Sequence, residues 1–474
     1  MNQIFYRPQR AAVGDVIPFY TDGEFKLFYI HLWRDPGTPV GELDWHLVGT
    51  RDFIHYQEYG SCNIPGGTGA VSEVDGMYHL FYCIFQEGGL RQIVCHATSS
   101  DLLHWEKHPE ENFEPDPEYY GPNDWRDPFV FWNEAAGEYW MLLAARTRSP
   151  YSRGGCVGLC VSNDLKHWQA RPPVYAPDLY LSAAECPDLF RIGDWWYLLY
   201  STYNDRFVTH YRMSRSVDGP WIAPAEDTFD GRAFYAAKTG SDGEKRFLFG
   251  WNPTRTDKAY NWNPPGYAGK DFNTWDWGGN LVVHEIVQAT DGTLQVRLPD
   301  RVAAHFQREQ RAVLRPVLGD WSQGDDRYTA VSPFGFACAM GGLLPTCCLV
   351  SFRFRFKPDT RRLGIILRAT DKLDKGYHIQ LEPDRSRVVF KTYVFPDEHG
   401  GKILPYEVEL ERPLALQPNQ DYSLKLVIDE TICVMYINDQ VAMSARMYDL
   451  QTGALALFVA DGEASFQDIM VKTP

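Results

Sequence analysis

The chain has no apolar run long enough to cross a bilayer as a helix; its longest runs have the length of single strands. Its start, MNQIFYRPQRAAVGDV, lacks the apolar stretch of a secretory leader, so a cytoplasmic location is expected. Basic residues are in deficit. With 46 Lys and Arg against 62 Asp and Glu the net charge is −16, which argues against nucleic acid and anionic membranes as partners. There is no CxxC pair. The ten cysteines, among them Cys62, Cys83, Cys95, Cys186, Cys347 and Cys348, form no regular framework and read as reduced, mostly buried thiols. Cys156 and Cys160 have no His or Cys partner at zinc-finger spacing, so no metal site is expected.

Aromatic residues are abundant, at 15% against 23% charged, as suits a β-rich protein with large buried surfaces. A chain of 474 residues exceeds one ordinary core, so two domains are expected. One phrase recurs five times: GEFKLFYI from Gly23, GMYHLFYC from Gly76, GEYWMLLA from Gly137, GDWWYLLY from Gly193 and GEKRFLFG from Gly243. A Gly turn followed by an aromatic and aliphatic run reads as a hairpin leading into a buried strand. Five copies at a near-constant period predict a five-bladed β-propeller over residues 1–300. A second phrase, Ser/Thr-x-Asp-x-x-x-Trp, places Trp105, Trp168 and Trp221 where packing between blades is expected.

After residue 300 the phrase stops. Residues 301–330 read as a linker. Beyond it, alternating stretches such as CCLVSFRFRF, GYHIQLEP and YSLKLVID, separated by turn residues, predict a C-terminal β-sandwich over residues 331–474. The fold class is therefore all-β.

The repeat also serves as a ruler. Asp15 lies eight residues before Gly23, Asp127 ten before Gly137 and Glu185 eight before Gly193, each in apolar surroundings on what should be an innermost strand. In blades 2 and 5 the same ruler lands on Thr68 and Tyr235, so acids are not part of the repeat. Carboxylates in apolar strands cost folding energy unless paired or functional. Several in one pocket push their pKa values apart, the arrangement that glycoside cleavage needs. The alternative for any one acid is structural: Asp127 pairing with Arg126, or Asp15 in an unstructured start. Arg34-Asp35-Pro36 repeats the Arg126-Asp127-Pro128 tripeptide but falls in a Gly/Pro-rich loop, read as an outer loop at the channel rim. Asp188 should point to the other face from Glu185 by alternation. Asp230 is either a pocket residue of blade 5 or a turn residue.

Arg126-Asp127-Pro128 followed by Phe-Val-Phe, Glu185-Cys186-Pro187-Asp188-Leu-Phe, DGRAFYAAK and QIVCHATSSDLLHWEKHP resemble glycoside hydrolase family 32, the β-fructofuranosidases. The resemblance spans nearly the whole chain and implies a five-bladed propeller joined to a β-sandwich. It implies retaining hydrolysis of β-fructosides, with Asp15 as nucleophile, Glu185 as acid and base, and Asp127 holding sugar hydroxyls. No metal or organic cofactor is implied, and the implied partner is a small carbohydrate or oligosaccharide.

The first motif departs from the family's Trp-Met-Asn-Asp-Pro-Asn-Gly. Here it is Ala12-Val13-Gly14-Asp15-Val16-Ile17-Pro18, and only the acid survives. His31, Trp33, Trp45 and His46 are expected to rebuild the missing wall, with Trp125, Arg126, Thr68 and Asp230 as further substrate-binding candidates. Three other readings remain. One is an inverting arabinofuranosidase or xylosidase on a five-bladed scaffold. Another is a fructosyltransferase that passes the same intermediate to a sugar. The third is a glycan-binding protein without turnover.

Overall fold

The computed structural model describes residues 3–33, 43–89, 91–148, 154–177, 181–203, 206–254, 277–324, 326–394, 410–448 and 450–474. Arg34, Asp35 and Pro36 lie outside the described residues, as does the side chain of Trp33. The chain divides into two compact units, Met1–Thr254 with Trp277–Leu294, and one containing Gln295–Pro474. Among the described residues no helix is long and apolar enough to cross a membrane.

The first unit is a β-propeller built from successive antiparallel meanders. Their first strands are Ala11–Thr21, Gly67–Val74, Tyr120–Asn133, Glu185–Ile192 and Tyr235–Ser241. The repeated glycines make the turn out of each. Gly23, Gly76, Gly137, Gly193 and Gly243 all have φ between +56° and +93°, a conformation glycine adopts without a Cβ clash. The chain start closes the ring: Val13 pairs with Gly279, and the Phe5 and Tyr6 carbonyls accept from the Asn280 side chain and the Leu281 N–H.

The second phrase is a turn device. Asp101 Oδ1 accepts the N–H groups of Leu103 and His104, and Asp164 does the same for Lys166 and His167. The following Trp105 and Trp168 indoles donate to the carbonyls of Leu102 and Leu165. Their rings fill the gaps between meanders, Trp105 edge-on to Phe28 and Trp168 edge-on to Phe81, and Trp221 packs against the cluster of Leu142 and Leu198. These tryptophans pack between blades, as expected.

The second unit is a β-sandwich organised by one long strand, Ala454–Thr473. Residues Ala454–Ala460 of it pair with Arg362–Ala369, whereas Ala464–Lys472 pair with Cys347–Phe356. The change of partner falls at Asp461, whose φ is +53°. The expected linker 301–330 needs correction: Arg308–Arg311, Arg315–Leu318 and Asp320–Gly324 are strands paired within this unit. They are almost wholly exposed edge strands, so no apolar alternation marks them in the sequence.

Candidate active site

Each of the five first strands carries a β-bulge at the same height. The register slips between Gly14 and Ile17, Gly67 and Gly69, Arg126 and Phe129, Glu185 and Asp188, and Tyr235 and Lys238. In four strands the residue inside the bulge has positive φ: Asp15, Asp127, Cys186 and Ala236. Such backbone costs about 1–3 kcal/mol at a non-glycine residue and concentrates at functional positions. A bulge turns two consecutive side chains to the same side. Arg126 with Asp127, Glu185 with Cys186, and Tyr235 with Ala236 accordingly line one cavity of about 310 Å³, together with Asp15 and Thr68. By register Asp15 and Asp127 are equivalent, whereas Glu185 stands one place earlier, level with Arg126 and Tyr235. The bulge also corrects Asp188. Glu185 pairs with Ser201 and Asp188 with Leu199, so both acids share a face, and Asp188 accepts the Thr239 N–H at 2.6 Å.

The three acids have different partners. Glu185 is held by two donors, Arg126 Nη2 on Oε1 at 2.8 Å and the Tyr235 hydroxyl on Oε2 at 2.6 Å. Tyr235 is itself fixed by Phe207, stacked at 4.1 Å between centroids. Asp127 Oδ2 accepts the Cys186 N–H at 3.0 Å and lies 3.7 Å from Arg126 Nε. Asp15 Oδ1 accepts Trp251 Nε1–H at 3.1 Å. Behind Arg126, Asp124 pairs with both Arg126 and Arg146.

Burial pushes the Asp15 carboxyl up to about 8, helped by the charge of Asp127 and opposed by the Trp251 N–H and by Lys238. Burial also raises Glu185, against the pull of Arg126. The Tyr235 phenol is raised by burial and by Glu185, so it stays a neutral donor. A cavity with two carboxyls poised above their ordinary range can hold one proton and one charge, the requirement for acid and nucleophile.

Of the sequence candidates, Asp15, Asp127, Glu185, Arg126 and Thr68 line the cavity. Thr68 is buried, and its hydroxyl makes no hydrogen bond to the described residues. Four candidates do not line it. His31 alternates with Ile30, and Ile30 takes the cavity face; the His31 ring stacks on His46 at 4.0 Å instead. Burial holds the His31 imidazole down to about 4. Trp45 is a core residue whose indole donates to the Gly67 carbonyl at 2.9 Å, bracing the strand that carries Thr68. Trp125 points back into the core against Tyr120, because the bulge turns Arg126 and Asp127, not their predecessor, inward. Asp230 is fully buried with His284 at 3.0 Å, a structural pair.

The sequence reading did not assign three contributors. The ruler lands on Tyr235 but gives it no role. Trp251 and Trp277 come from later parts of the last meander, where no repeat signal points to the axis. Among the described residues His108, Glu110 and Glu111 bring three potential metal-ligating atoms together, and none of them lines the cavity.

The "Glycosyl hydrolases family 32 N-terminal domain" model matches residues 16–274, and the "GH32, BT1760-like, C-terminal domain" model matches residues 292–471. The chain is 24% identical to raffinose invertase of Escherichia coli over 484 residues, covering 95% of this chain and 90% of that one. It is 23% identical to sucrose-6-phosphate hydrolase of Escherichia coli, covering 90% and 85%. Among solved structures, fructan 1-exohydrolase IIa from Cichorium intybus aligns with TM-score 0.73 at 15% identity, covering 99% of this chain and 97% of that one.

Proposed function

The chain belongs to glycosyl hydrolase family 32, and from that membership and the cavity we propose that it cleaves a β-fructofuranoside at its non-reducing end with retention. Asp15 attacks the anomeric carbon while its bond to the leaving oxygen breaks and Glu185 passes that oxygen a proton. Water then attacks the fructosyl–Asp15 ester, giving a proton back to Glu185 and releasing Asp15 as carboxylate. Asp127 and Thr68 hold sugar hydroxyls, and Arg126 orients Glu185. The reaction needs charge on Asp15 and a proton on Glu185, although among the described residues Glu185 has the two strong donors and Asp15 only the Trp251 N–H. The substrate is a small carbohydrate or oligosaccharide. All ten cysteines are free thiols, which supports action in a reducing compartment such as the cytoplasm.

One observation carries the reading. Three acids come from three different first strands, are absent at the matching places of the other two, and meet in one cavity. The test is a panel of sucrose, inulin and levan oligomers and nitrophenyl arabinofuranosides, read for released monosaccharide with wild type and Glu185→Gln. Fructose release that disappears in the variant is expected. Release from arabinofuranosides alone, or hydrolysis that survives in Glu185→Gln, overturns it.

A further inference from the structure

A lysine is buried against the inner strands of this cavity without lining it. Lys238 stands three residues after Tyr235, and the intervening bulge leaves both on the axial side of their strand. It is 3% exposed. Its ammonium donates to the Gly69 carbonyl at 2.9 Å, a residue of the second meander's first strand. The strands of Lys238 and Gly69 each pack against Ala11–Thr21, so the side chain reaches across the axis past the strand that bears Asp15. The Phe129 ring of the third meander closes in at 5.8 Å from the nitrogen to its centroid.

One backbone carbonyl is poor compensation for a buried ammonium, which has three donors and a full charge. The remaining compensation must be electrostatic. Its charge acts on Asp15 and Cys186; Asp127 and Glu185 act on Asp15 in turn, and Asp188, level with Lys238 by register and bonded to the N–H of Thr239, faces Arg246. Arg126 is committed to Glu185, Asp127 and Asp124. Asp15 has no guanidinium of its own, and Lys238 is the cation left for it among the described residues.

We propose that Lys238 is a positioning residue, fixed across the propeller axis by the Gly69 carbonyl so that its charge favours the ionised Asp15 without touching substrate. The assignment of Asp15 as nucleophile rests on the proposed fructosidase reaction; the electrostatic coupling of Lys238 to Asp15 does not. Two neutral variants separate charge from scaffold. Lys238→Met removes the charge and the bond to Gly69, and Lys238→Gln removes the charge but keeps an N–H donor, on a side chain one bond shorter. Lys238→Arg keeps the charge.

The direct readout needs no substrate. Trp251 donates to Asp15, so its fluorescence reports the ionisation of that carboxyl. The titration is taken as the difference between each variant and the same variant carrying Trp251→Phe. In both neutral variants the midpoint is expected to rise by about one pH unit, while Lys238→Arg stays with wild type. The acid limb of kcat/KM on a β-fructoside moves by the same amount. An unmoved midpoint in a cooperatively melting Lys238→Gln protein overturns the proposal and leaves Lys238 a strut. A moved midpoint in a protein that cleaves no β-fructoside sinks the proposed reaction while the coupling stands.

Discussion

The indole of Trp277 occupies the space that a side chain at Gly14 would need. A Cβ built on Gly14 would stand 2.6 Å from Trp277 Cη2 and 2.8 Å from Cζ3. Trp277 in turn meets Trp251 edge-on at 5.9 Å, and Trp251 donates to Asp15. An aromatic ring from the far end of the first unit's sequence thus lines the cavity beside Asp15. A side chain on the residue before Asp15 would have to displace that ring.

Gly14→Ala is therefore expected to displace Trp277 and lower kcat/KM about tenfold or more, with KM raised. Trp277→Ala should produce a loss of similar size. Because both changes act on one contact, the double variant should be little worse than either single one. Additive losses in that double-mutant cycle would show that the two residues act separately.

Asp15 makes a stability prediction whose sign is fixed. Its carboxyl is raised from 3.8 to about 8 in the folded protein. Below about pH 4 both folded and unfolded states hold the proton, and there is no difference to lose. As pH rises towards 8 the unfolded chain gives the proton up while the folded one keeps it, so folding is progressively disfavoured; above 8 the penalty is constant. Asp15→Asn escapes this loss. Its melting temperature should exceed wild type by about 2–5 °C at pH 8, with the gap shrinking towards pH 4. A gap independent of pH would mean that Asp15 is ionised throughout.

Tyr235→Phe removes the hydroxyl that donates to Glu185 at 2.6 Å. That bond favours the ionised carboxylate, so its loss should carry the Glu185 carboxyl further up. The basic limb of the pH–rate profile, where the acid loses its proton, should shift upward, with kcat lowered about tenfold. A downward shift would place the proton on Glu185 by some other means than the one described.

The architecture was legible because glycine is favoured where φ is positive. Gly23, Gly76, Gly137, Gly193 and Gly243 marked the turns, and counting back from them reached the cavity on all five strands. The count landed one place earlier in the bulge at Glu185 than at Asp15 and Asp127, because the stretch between bulge and Gly turn differs in length from strand to strand and no pattern of polar and apolar types announces where the bulge falls. That bulge undid the alternation argument for Asp188, and the corresponding one between Arg126 and Phe129 left Trp125 in the core behind Arg126. His31 failed for the opposite reason: its strand has an unbroken register there, and the cavity side belongs to Ile30. Trp251 and Trp277 reach the site through ring closure, and contacts more than two hundred residues apart leave no local trace.

The most direct test of the central claim is the anomer of fructose first released, followed by proton NMR on a β-fructoside before mutarotation. An account in which Asp15 attacks and Glu185 activates water predicts β-fructose as the initial product. α-Fructose appearing first would mean a single displacement by water, and Asp15 could not be the nucleophile.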